Sequence, residues 1–167
     1  MRRRLWALGA IVAALAIVAA IPAAAGGAGK TILHSQVLVG VPAAFTGSQA
    51  PIRGVNGGGL PWVVSFGRVE LSQGGWVDVK VKGLVIDPAA ASANAGSNPS
   101  PTFRVLVSCL TSAGATSNTL SDPFPATTGL GAGNAQAELQ LAIPSPCIAP
   151  IVFVTSGGGA WFASTGG

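Results

Sequence analysis

The chain has no tyrosine, one methionine, one histidine and two cysteines, and only 8% of its 167 residues are charged. These scarcities exclude much chemistry. With one histidine, any Ser-His-Asp or Cys-His arrangement must use His34. That residue lies between Leu33 and Ser35 and reads as a half-exposed strand histidine. A hydrolase dependent on His34 is the weakest functional reading. No Gly-x-Ser-x-Gly elbow is present. Two cysteines without Cys-x-x-Cys spacing, beside one histidine, make neither a redox motif nor a zinc site. The acids are too few for a calcium cluster. Glu70, Asp78 and Glu138 read as solvated strand residues, and Asp87 and Asp122 precede prolines, which marks turns. The glycine clusters at 57–59, 129–133 and 157–159 open no helix and lack Gly-Lys-Ser/Thr, so they read as turns and not phosphate loops. No cofactor and no metal are expected.

Charge is also unevenly placed. Arg2, Arg3 and Arg4 precede an uncharged run from Leu5 to Ile21, then Pro22 and Ala23-Ala24-Ala25. A positive segment, an apolar segment and a small-residue cleavage site occur in the order of a secretory signal peptide. The apolar run is shorter than the roughly 20 residues of a spanning helix. Residues 1–25 are therefore expected to be a signal peptide cleaved before Gly26, and the protein to be secreted or extracytoplasmic. The remainder carries Lys30, Arg53, Arg68, Lys80, Lys82 and Arg104 against Glu70, Asp78, Asp87, Asp122 and Glu138, a formal charge of +1. Nucleic-acid binding needs clustered cations to displace counterions, and no such cluster remains. An electrostatic membrane surface is excluded for the same reason.

What is present after residue 30 is period-two alternation, not helical periodicity. Val77-Asp78-Val79-Lys80-Val81-Lys82 puts valines on one face and charges on the other, the pattern of a half-buried antiparallel strand. Residues 68–71, 103–109 and 138–141 alternate as well, and 32–41, 62–66, 151–155 and 161–164 are further strand candidates. About eight short strands predict an all-β fold, a single antiparallel β-sandwich of immunoglobulin-like or jelly-roll-like type. The expected division is a Gly/Ala-rich segment with a first strand over 26–51 and the sandwich over 52–167. Strand pairing is expected to be incomplete in the glycine-rich stretch 26–60. Residues 87–101 and 111–135 are expected to be long loops. For the hairpin around Gln73-Gly74-Gly75, pairing Glu70 with Asp78 sets like charges opposite each other, at a cost of up to about 1 kcal/mol. The expected register instead pairs Val69 with Val77 and Arg68 with Asp78, with Gly74 as the left-handed residue of the turn.

Cys109 shares the inward face of residues 103–109, and Cys147 lies in a proline-rich connector. An even cysteine count in an exported chain predicts a Cys109–Cys147 disulfide. Trp62 and Trp161, with apolar neighbours, are core candidates. Trp76 shares the charged face of its strand beside a turn and is the candidate stacking platform for a sugar or partner protein. Lys80 and Lys82 are candidate binding residues on the same face, or serve to keep an exposed strand soluble.

Leu106-Val107-Ser108-Cys109, Asp122-Pro123-Phe124-Pro125-Ala126-Thr127, Gly133-Asn134-Ala135, the run Pro146-Cys147-Ile148-Ala149-Pro150-Ile151-Val152-Phe153-Val154 and Trp161-Phe162-Ala163 form an ordered set. Gly57-Gly58-Gly59-Leu60-Pro61-Trp62 and Val81-Lys82-Gly83-Leu84 belong to it. Over roughly residues 52–165 the chain resembles a group of small exported bacterial β-rich proteins with no known activity. The resemblance implies an exported β-rich domain with two cysteines and brings no catalytic residue or cofactor. The run 77–84 is also similar to chordin-type repeats, but those continue with a histidine motif where this chain has Val85-Ile86-Asp87-Pro88. The reading that follows is a non-enzymatic extracellular or cell-envelope module, structural or protein-binding, with an extracellular protein or polysaccharide as its partner. The alternative is a carbohydrate or polymer binder acting through Trp76.

Overall fold

The computed structural model describes residues 29–166, so the expected signal peptide lies outside the described residues. Among them the chain forms one 3-10 turn, Ala43–Phe45, and fourteen strands. The first six are β1 (Thr31–Ser35), β2 (Leu38–Gly40), β3 (Trp62–Val63), β4 (Phe66–Ser72), β5 (Trp76–Lys82) and β6 (Val85–Ile86). Next come β7 (Ser97–Asn98), β8 (Thr102–Leu110), β9 (Thr116–Leu120) and β10 (Phe124–Pro125). The last four are β11 (Gly129–Leu130), β12 (Ala135–Gln140), β13 (Ile148–Thr155) and β14 (Trp161–Thr165). The all-β expectation holds.

Two antiparallel sheets dominate. One has the order β1-β4-β5-β12. The other has the order β10-β8-β13-β14-β2, with β9 also paired to β8. Two-strand ladders join β3 to β6 and β7 to β11. The alternation in the sequence sets which faces are buried. Val77, Val79 and Val81 of β5 join Val69 and Leu71 of β4 in one apolar cluster. The same cluster holds Phe103, Val105, Val107 and Cys109 of β8 with Val152 and Val154 of β13. Removing each such side chain from water contributes roughly 1.5–3 kcal/mol.

The second sheet is covered on its other face too. Trp161 meets Phe45 and Phe153 at ring-centroid separations of 6.4 and 6.0 Å. Its neighbour Phe162 points the opposite way and stacks on Trp62 at 3.9 Å. Trp62 and Trp161 are 5% and 2% exposed, so both are core residues.

Strand pairing begins at Thr31, earlier than the glycine-rich composition suggests. The stretch expected as one strand over 32–41 is two, one in each large sheet. The 156–160 segment, with its glycines, joins β13 and β14 as a hairpin. The expected loops carry pairing of their own: 111–135 contains β9, β10 and β11, and β11 pairs with β7 from the loop 87–101.

The β4–β5 register differs from the expectation. Glu70 stands opposite Asp78, Arg68 opposite Lys80 and Leu71 opposite Val77. The favourable contact that motivated the expected register is kept on the diagonal, where Arg68 Nη2 donates to Asp78 Oδ2 at 2.5 Å. Glu70 Oε1 accepts from Thr31 Oγ1 at 2.9 Å. Gly75, not Gly74, takes the left-handed position, with φ 85°. Its carbonyl accepts Leu141 N–H at 2.9 Å, and a Cβ there would lie 2.0 Å from Leu141 O. Glycine fits this close approach of Leu141 O, and the hairpin is in the register that the pairwise charge argument disfavoured.

Candidate functional site

Cys109, in the centre of the core, is bonded to Cys147 just before β13. The chain between them includes β9 to β12, so the bridge closes a circuit through both large sheets. Neither cysteine is free.

The remaining candidates converge on one surface, the outward face of the β1-β4-β5-β12 sheet. The registers align His34, Glu70, Asp78 and Glu138 in one row across the four strands. The adjacent row holds Arg68, Lys80 and Gln136. The next holds Phe66 and Lys82. Trp76 lies beyond the acidic row, opposite Gln140. The face is thus acidic across one row and basic across the next. Alternation within single strands reveals which residues share the face, but only the register between strands reveals the rows.

His34 is exposed, and its Nε2 lies 2.8 Å from Gln36 Nε2. Asp78 is 9% exposed, with Arg68 as its cation. Trp76 is half-buried, and its backbone N–H donates to Ser72 Oγ in the turn. Lys80 and Lys82 line a hollow of about 280 Å³ with Asn134 and Gln136. Trp76 does not line it, so the structure brings the two lysines together and leaves the tryptophan apart from them.

Two other hollows escape sequence reading, because their walls come from distant segments. The larger, about 630 Å³, is lined mainly by apolar residues in and beside β2 and β3, including Leu38, Val41, Trp62 and Val63. Asp87 also lines it, but its Oδ1 accepts Ala89 N–H at 2.8 Å and caps a turn. The other, about 340 Å³, lies between Gly54–Asn56, Leu106, Asn118 and the 158–160 turn. Arg53, which precedes Gly54 in the chain, is in a left-handed conformation at φ 50° and sends Nη1 to Ser108 O at 3.1 Å.

Comparison of the chain with protein-family models, with curated proteins and with solved structures finds no match. No helix among the described residues is long and apolar enough to cross a membrane. The Cys109–Cys147 disulfide fits an extracytoplasmic protein.

Proposed function

We propose that this protein is an exported, non-enzymatic module of the extracellular space or cell envelope, with a structural or protein-binding task. The observation that carries the reading is the Cys109–Cys147 bridge. Such bonds persist in oxidising compartments and are rare where thiols are kept reduced. The N-terminal sequence pattern 1–25 supports the same compartment, as does the resemblance to small exported bacterial β-rich proteins.

The engagement of the chemistry-bearing side chains supports a non-catalytic role. Both cysteines are bonded, Asp78 holds Arg68, Glu70 accepts from Thr31, and Asp87 caps a turn. His34 lies on a sheet edge beside Gln36. The finer architecture we propose is a β-sandwich of the two large sheets, supported by the apolar cluster they share. Fractionation of cells producing the full chain tests the reading. The protein is expected in the medium or envelope fraction, and accumulation of soluble protein in the cytoplasm would overturn it.

A further inference from the structure

We propose that one end of the outward face of the β1-β4-β5-β12 sheet binds an acidic polysaccharide. A carboxylate settles between Lys80 and Lys82, and the adjoining sugar ring rests on Phe66. The site takes its extracellular setting from the function proposed above. Gly67 points into the core, where a Cβ would lie 2.5 Å from Leu38 Cβ, and Val81 is buried. Their neighbours Phe66 and Lys82 therefore face outward, directly opposite each other. Phe66 is 40% exposed and belongs neither to the apolar cluster nor to the residues packed against it. Among the described residues it pairs with no other aromatic ring. An aromatic ring left on a polar face offers a flat apolar platform to a ligand.

Charge chooses the ligand. Lys80 and Lys82 line their hollow with Asn134 and Gln136. Among the described residues neither lysine has an ion-pair partner, whereas Arg68 is held by Asp78. Asn134 Oδ1 accepts Gly83 N–H at 3.1 Å, which leaves Nδ2 to donate. Two ammonium groups and two carboxamides thus line one hollow, a donor set suited to a carboxylate. At about 280 Å³ the hollow is small, below the roughly 300–1,000 Å³ of sites that enclose a whole small molecule. It admits one acidic group and leaves the rest of the ligand on the surface. There Phe66 stands one strand spacing from Lys82, about 5 Å. The acidic row of Glu70, Asp78 and Glu138 lies beyond the row of Lys80. It is two residues away along the strand, about 7 Å and inside the Debye length. A ligand laid along the strands would meet those carboxylates. One laid across them, over Phe66 and Lys82, stays clear. The same row repels a densely charged phosphate chain more than a polymer with one carboxylate per ring.

Native affinity electrophoresis of the purified protein tests the proposal, with polygalacturonate, dextran or long-chain polyphosphate in the gel. Polygalacturonate is expected to retard the protein, less so as salt is added, while dextran does not and polyphosphate does so more weakly. Lys82→Ala and Phe66→Ala should each weaken binding about fivefold, and Lys82→Arg should keep it. Near-ultraviolet circular dichroism checks that each variant is folded. Should Phe66→Ala fail to fold, Phe66→Leu replaces it, since leucine keeps apolar bulk without the flat ring. Four results would overturn the proposal: no retardation by polygalacturonate, equal retardation by dextran or polyphosphate, affinity unchanged in both Lys82→Ala and Phe66→Ala, or binding lost in Trp76→Ala but not in Phe66→Ala. Binding is read on purified protein, so its failure is distinct from a failure of export.

Discussion

Gly75 and Asn98 decide more of the structure than their size suggests. Gly75 combines φ 85° with a Cβ position 2.0 Å from Leu141 O. Gly75→Ala must adopt a left-handed conformation and displace a backbone carbonyl, and should lower stability by about 2 kcal/mol or more. Gly74→Ala should change it by less than about 1 kcal/mol, since the nearest atom to a Cβ there is Ser72 Oγ at 3.9 Å. Urea denaturation of the two variants checks the contrast, and equal midpoints would contradict it. Asn98 is fully buried. Its Nδ2 donates to Ser100 O and Thr127 O, and its Oδ1 accepts Ser100 N–H. Asn98→Ala strips partners from part-buried backbone groups and should cost about 1 kcal/mol or more. Hydrogen exchange should show that loss concentrated at β7 and β11. Uniform exchange behaviour across the chain would argue against Asn98 as the tie between the two loops.

At the scale of elements, what could be read from the sequence follows from how local its cause is. The valines of β5 and the inward set Phe103, Val105, Val107 and Cys109 of β8 declare their burial through alternation within one strand. The Cys109–Cys147 pairing was legible because only two cysteines exist. β9 was not, because Thr116-Ser117-Asn118-Thr119-Leu120 is a polar strand on a sheet flank, with nothing to distinguish it from a loop. The β4–β5 register was misread because direct opposition was weighed without the diagonal Arg68–Asp78 contact or the fit of Gly75 against Leu141. The candidate surface was half legible: Trp76, Lys80 and Lys82 share a face by parity, but the row His34–Glu70–Asp78–Glu138 exists only through three inter-strand registers. The disulfide links these elements. Its cysteines are 38 residues apart, and reducing it should lower stability by about 4 kcal/mol on the chain-entropy model. Denaturation with and without reductant measures this, and no shift in midpoint would show that the bridge constrains nothing the sheets do not already hold.

The whole molecule is an all-β chain with an oxidised cysteine pair and a charge-segregated sheet face. Its formal charge after residue 25 is nearly balanced, at +1. Export is the central proposal, because the oxidised bridge makes sense in that setting. The most direct measurement is the intact mass of the protein recovered from outside the cytoplasm of a bacterial host producing the full chain. The account predicts a species beginning at Gly26 and lighter by two hydrogens than its dithiol form. A cytoplasmic species that keeps Met1 and both free thiols would contradict it.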